Sequence, residues 1–184
     1  ENILGGAANV ANGVRALGGD VTLCGVIGRD DSGNIFQQLS KKDEIDFKPF
    51  YDSQRPTIEK LRYVAQNGRQ VVRVDTEVKN QPISQATAQE ILNSFPISEL
   101  RNADALVMVD YDKGFWTTHS AGMLKSNIWQ ADIPLLMSAK PRNAHFLRSN
   151  LDNKYLFCVN LEEAKEIIEI MGSKRISDYT PSRV

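Results

Sequence analysis

Chemistry in this 184-residue chain gathers in polar segments that each follow a short apolar run: GRDDSG at 28–33, DYDKG at 110–114, SAKPRN at 138–143 and NLEEA at 160–164. Acids such as Asp110 and Glu163 can orient a hydroxyl or hold a hard cation, and Lys113, Lys140 and Arg142 can meet phosphate. Any solvated turn has a similar composition, so what favours function is that all of these segments fall on one expected edge. Gly5-Gly6 ahead of AANVANG adds a glycine turn opening a helix of small residues. Asn9 and Asn12, three apart on that helix, can hydrogen-bond a polyol, with a plain exposed asparagine as the equal alternative. The dinucleotide spacing G-x-G-x-x-G, the P-loop and the G-x-S-x-G nucleophile turn are all absent. His119 and His145 lack metal-ligand spacing and read as surface residues. Trp116, Trp129, Phe36, Phe95 and Phe146 read as packing residues rather than a base-stacking platform.

The elements that must carry these segments alternate along the chain. Small apolar residues over 7–17 stop at Gly18-Gly19 and give way to an apolar strand over 21–27. A helix over 34–42 follows, with Asp30, Asp31 or Ser32 as its cap. The section 47–77 differs, since residues alternate over 57–65 and 70–76 on either side of Asn67-Gly68, which is the pattern of a hairpin. That whole section is expected to be antiparallel. Helices are expected over 85–94, 117–130, 144–148 and 161–171, with apolar strands over 105–109, 134–137 and 155–159. Apolar strands separated by helices imply an α/β fold with a parallel sheet covered on both faces, and ligands in such sheets bind beyond the carboxyl ends of the strands.

Composition narrows the partners. With 22 Lys+Arg against 23 Asp+Glu and a formal net charge of -1, nothing in the total draws in nucleic acid or an anionic membrane. No apolar run approaches the ~20 residues of a membrane-spanning helix. Cys24 and Cys158 each lie in an apolar run and read as buried free thiols, and a cytoplasmic location is expected.

Taken together, GGAANVANGVRALGGDVTLCGVIGRDDSG at 5–33 and VNLEEA at 159–164 resemble the ribokinase/phosphofructokinase-B family of sugar kinases. Within it, PTIEKLRYVAQNGRQVVRVDTE at 56–77 is similar to the lid strands of the heptose-7-phosphate kinase group, and VMVDYDKG at 107–114 to its aspartate-lysine loop. The resemblance implies a ribokinase-like parallel sheet flanked by helices, one domain over 1–184, with a small antiparallel β lid at about 47–77. It implies transfer of phosphate from ATP, with magnesium, to a sugar phosphate such as heptose 7-phosphate. Gly6 and Asn9 would contact sugar hydroxyls, Lys60 and Arg62 the anionic sugar phosphate, and Asp110 and Lys113 the substrate. Lys140, Asn160 and Glu163 would serve the nucleotide phosphates, Glu163 reaching the metal through water. A homodimer through the lid or an open sheet edge is a further implication.

The family's opening strand with its sugar-gripping aspartate and its closing G-A-G-D segment with the catalytic base have no counterpart here. The chain therefore reads as an internal piece of a kinase, truncated at both ends, with the base expected beyond Val184 and little activity of its own. Ser138-Ala139 stand where the group carries Asp-Pro ahead of the lysine. The alternative is a shortened homologue that binds a sugar or nucleotide, or acts as an interaction module, without catalysis; a structural domain with no ligand is the third reading.

Overall fold

A computed structural model describes residues 1–78, 81–94, 97–116, 133–138, 140, 141, 143 and 155–171. In chain order these form α1 (Ala7–Ala16), β1 (Thr22–Ile27), α2 (Asp31–Lys42), β2 (Asp46–Tyr51), β3 (Glu59–Val64), β4 (Gln70–Thr76), α3 (Gln85–Ser94), α4 (Ile97–Asn102), β5 (Leu106–Val109), β6 (Leu135–Ser138), β7 (Tyr155–Phe157) and α5 (Leu161–Met171). The helices expected over 117–130 and 144–148, together with His119, His145, Trp129, Phe95, Phe146 and Arg142, lie outside the described residues.

Local chemistry sets the helix boundaries. Asp30, in extended backbone, caps α2 by accepting the Gly33 N–H, and Asp31 in the first turn with Lys41 and Lys42 in the last complement the helix dipole. In α1 the buried face is only Ala8 and Ala11, three apart, so the helix lies close to its neighbours and packs with Leu4 and Ile45 against Val21, Leu23, Phe36 and Leu39.

Parallel pairing occurs in two places. β1 pairs with β2 in register Thr22↔Asp46 to Ile27↔Tyr51, and β5, β6 and β7 form a second sheet in that order, also parallel. The antiparallel section expected over 47–77 is corrected at its front: 46–51 belongs to the parallel pair with β1, and only 59–76 is antiparallel. Among the described residues the parallel strands form these two pieces rather than one continuous sheet.

Two hydrophobic clusters join the pieces. Phe50, Ile83, Ala88 and Ile91 pack with Cys24, Val26 and Phe115, while Leu100, Leu135 and Met137 pack with Leu106, Met108, Trp116, Phe157 and the same Phe115. Ile91 is 1% exposed, and burying one such side chain contributes about 1.5–3 kcal/mol. Phe115, immediately after DYDKG, thus holds that loop against both packing centres.

β3 and β4 form the hairpin, turning at Asn67-Gly68 where the Gly68 N–H donates to the Ala65 carbonyl and the Ala65 N–H to the Arg69 carbonyl. Every residue of β3 is exposed, and one face of the ribbon carries Leu61, Tyr63, Val72 and Val74 in the open. Both cysteines are free, as expected, but neither is fully buried: Cys24 is half-buried. Burial pushes the Cys24 thiol up to about 11, whereas Cys158 is exposed because it follows β7 at the margin of the second sheet.

Candidate active site

The carboxyl ends of the parallel strands bring four segments together. After β1, Gly28 sits so tightly that an added Cβ would lie 2.7 Å from the Arg55 carbonyl oxygen and 2.8 Å from the Thr57 nitrogen, which restricts the position to glycine. That closeness lets the Gly28 N–H donate to Thr57 Oγ1 at 2.9 Å, while the Thr57 N–H donates to Asp30 Oδ2 at 2.7 Å. One aspartate therefore caps α2 with one oxygen and fastens the root of the hairpin with the other. Burial alone would raise the Asp30 carboxyl, but the hydrogen bonds from Thr57 and Gly33 outweigh it and hold the group below its ordinary value.

After β2, Asp52 is 1% exposed and accepts the N–H of Gln54 at 3.0 Å and of Ser84 at 2.8 Å. It ties the strand entering the hairpin to the segment that leaves it and starts α3. The Arg55 guanidinium donates to the Lys113 carbonyl, so the hairpin root also reaches the DYDKG loop.

After β5, Asp110 is buried and accepts from the Asp112 N–H and from Asn143 Nδ2, both at 2.7 Å. Gly114, at φ 78, packs so closely on the chain that an added Cβ would fall 2.2 Å from the Gln81 carbonyl oxygen, and its own carbonyl accepts the Ile83 N–H. The ring of Tyr111 reaches the glycine turn: a Cβ on Gly6 would lie 3.9 Å from it. Gly6, at φ 58, is the N-cap of α1, and both Gly6 and Asn9 are exposed.

After β6 and β7, Lys140 Nζ pairs with Glu163 Oε1. Asn160 and Glu163 form a reciprocal cap on α5: the Glu163 N–H donates to Asn160 Oδ1 at 2.9 Å, and the Asn160 N–H to Glu163 Oε2 at 3.1 Å. The N-x-x-E spacing is therefore a capping box in this fold, whatever else it does. The Lys140 hydrogen bond and the Asn160 N–H draw the Glu163 carboxyl below its ordinary value, and the Glu163 hydrogen bond raises Lys140.

Lys113 and Lys140, the lysines expected to meet phosphate, are each paired with a carboxylate. Lys113 pairs with Glu77 just beyond β4, and that bond lowers Glu77 in turn. On the ribbon, Lys60 and Arg62 share a face, as the alternation predicts, but opposite them in register stand Asp75 and Arg73. Lys60 lies 3.9 Å from Asp75, and Arg73 grips the same carboxylate with two donors, leaving Arg62 facing a like charge. Site residues that sequence reasoning missed are Asp52, Arg55, Thr57, Glu77 and Asn143. Of these, Thr57 and Glu77 lie in the run 56–77 and Asn143 in SAKPRN, segments the sequence marked without marking these residues, whereas Asp52 and Arg55 lie outside the quoted segments.

The profile of the pfkB family of carbohydrate kinases matches residues 1–180. Among curated proteins, the chain is 33% identical over 174 residues to the bifunctional protein HldE of Caulobacter sp. (strain K31), covering 93% of this chain and 33% of that one. It is 40% identical over 112 residues to the bifunctional protein HldE of Helicobacter acinonychis (strain Sheeba), covering 60% and 24%. Its fold is that of phosphofructokinase-2 from Escherichia coli solved with substrates and products, at a TM-score of 0.67, 14% identity and coverage of 90% and 52%. Ribokinase from Giardia lamblia has the same fold, at a TM-score of 0.55, 20% identity and coverage of 90% and 50%. The chain thus spans a quarter to a third of these curated relatives and about half of the solved kinases. On the extent of the profile match and the shared α/β fold, the chain belongs to the pfkB family of carbohydrate kinases.

Proposed function

We propose that the protein of which this sequence is all or part transfers a phosphoryl group from ATP to a hydroxyl of a sugar phosphate of the heptose 7-phosphate class. The observation that carries this reading is convergence. The glycine turn at Gly6, the DYDKG loop, the hairpin root and the Lys140–Glu163 pair meet at the carboxyl ends of parallel strands, with an antiparallel ribbon beside them. The alignment with HldE proteins and the likeness of 56–77 to heptose-kinase lid strands support the choice of substrate. Gly6 and Asn9 would meet sugar hydroxyls, Asp110 would orient the Asp112 and Asn143 groups around the substrate, and Lys60, Arg62 and Lys113 would attract its charge.

Lys140, Asn160 and Glu163 would face the nucleotide phosphates. Among the described residues, no three His, Cys, Asp or Glu side chains cluster to ligate a metal directly. Magnesium keeps most of its waters and binds through one carboxylate and substrate phosphates, which fits Glu163 as a water-mediated contact. When bound, it neutralises charge between the nucleotide phosphates. Under this reading the setting is the cytoplasm, and the exposed apolar face of the ribbon is the surface for a homodimer. Among the described residues, no helix is long and apolar enough to cross a membrane.

Calorimetric titration of the chain with heptose 7-phosphate and with magnesium-ATP tests the proposal. Binding of both is expected, with Asn9→Ala weakening the sugar phosphate about tenfold by removing hydroxyl contacts. Absence of sugar-phosphate binding at millimolar ligand would overturn it.

A further inference from the structure

The hairpin root borders an open, shallow cleft of about 400 Å³ lined by Arg29, Asp30, Asp52, Ser53, Gln54 and Arg55. Its two acids already give their oxygens to backbone amides: Asp30 to Gly33 and Thr57, Asp52 to Gln54 and Ser84. Its two guanidiniums are differently placed. Arg29 is exposed, and its guanidinium carbon sits 4.2 Å from the centre of the Tyr51 ring. Arg55 uses Nη2 on the Lys113 carbonyl and keeps its other donors. Among the described residues neither arginine forms an ion pair with a carboxylate, in contrast to Lys113 and Lys140.

We propose that this cleft binds the phosphate group of a phosphomonoester, with the Arg29 and Arg55 guanidiniums as its ligands. A planar guanidinium fork matches the oxygens of a phosphate dianion, and the contact of Arg29 with the Tyr51 ring restrains one of the two forks in advance. The charges of Asp30 and Asp52 line the same cleft and disfavour an extended polyanion such as a triphosphate, so a single phosphate is selected. Burial lowers Arg55 and the nearby Asp52 raises it, so the guanidinium is desolvated without being neutralised by a direct partner. The place of the site follows from geometry alone. That its phosphomonoester is a sugar phosphate rests on the function proposed above. The substrate's phosphate would then lie at the hinge of the ribbon, with Lys60 and Arg62 further along the blade adding to the local positive charge.

Titration of the whole chain with inorganic phosphate, heptose 7-phosphate and unphosphorylated heptose tests this, using Arg29→Ala, Arg55→Lys and, as a control at the exposed tip of the ribbon, Arg69→Ala. Arg29→Ala is expected to weaken inorganic phosphate and heptose 7-phosphate alike by about tenfold, and Arg55→Lys by a smaller factor through loss of its fork. Arg69→Ala is expected to leave both unchanged. Arg29 is exposed, so its variant keeps the test open if Arg55→Lys lowers the melting temperature. Heptose 7-phosphate binding that is equal in wild type, Arg29→Ala and Arg55→Lys would overturn the site while leaving the kinase reading intact. Arginine-dependent binding of inorganic phosphate, with no gain for the sugar phosphate, would uphold the site and sink the sugar-phosphate reading. No binding of any phosphate would overturn the site.

Discussion

At the hairpin root, Asp30 and Asp52 direct their oxygens to backbone amides; at the loops after β4 and β7, Glu77 pairs with Lys113, and Glu163 shares its oxygens between Lys140 and the Asn160 amide. The two regions hold the same kind of charge in different ways. An amide is fixed by the chain, so a carboxylate bound to it builds shape and has little freedom to exchange partners. A lysine on a flexible stem can leave its carboxylate for another anion, so the ion pairs at the loops are exchangeable contacts. The root is therefore architecture and the loops are exchangeable, although both look like polar, ligand-facing turns in the sequence.

The hardest test of this contrast is Asp52→Ala, which strands two amides in a buried setting. It is expected to cost about 2–4 kcal/mol in urea unfolding, because unmet donors lose their full hydration. A cost near zero would mean the root is no more structural than the loops. Asp30→Ala should cost less, about 1–2 kcal/mol for loss of a helix cap, and Thr57→Val, which removes the Gly28 contact, should act in the same direction.

The pH dependence sharpens the comparison without mutation. Asp30, Glu77 and Glu163 all have folded values depressed below the ordinary 3.8 of an aspartate or 4.5 of a glutamate. In that range the unfolded chain binds more protons than the folded one, so stability is fully present above it and falls as the pH drops through it. Urea midpoints at pH 7, 5 and 3.5 should show the loss confined to the last step; in Asp30→Asn the acid-dependent part should shrink. The smallest expected effect is that of Glu163→Gln on unfolding, since the pair is partly exposed. The midpoint should stay within error while the magnesium dependence of ATP binding diminishes. A large drop in the midpoint would place Glu163 with the root rather than with the loops.

Much of this architecture was legible because it is local. Asn67-Gly68 between alternating segments marked the hairpin, Gly18-Gly19 marked the end of α1, and Asp30 was among the expected caps of α2. What escaped depends on distant partners. The run Phe47 to Tyr51 alternates in either sheet type, and nothing in it says that its neighbour is β1, parallel, rather than β3. Helix α4 escaped because six residues give too short a period to detect. Asp52 reads as an ordinary loop acid until the fold brings Ser84 to it across 32 positions. Lys113 and Lys140 were found by type and spacing, but their pairing with Glu77 and Glu163 depends on three-dimensional neighbours that no spacing contains.

The ribbon's bare faces give the molecule two timescales. A two-stranded sheet with every residue of one strand exposed has little of its own to resist opening, while its root is stitched to the parallel strands. Amides across Leu61, Tyr63, Val72 and Val74 should therefore exchange with deuterium by local fraying, long before those of Ile27 or Phe50. A second chain or ligand that covers the ribbon would be recorded first as a slowing of those amides alone.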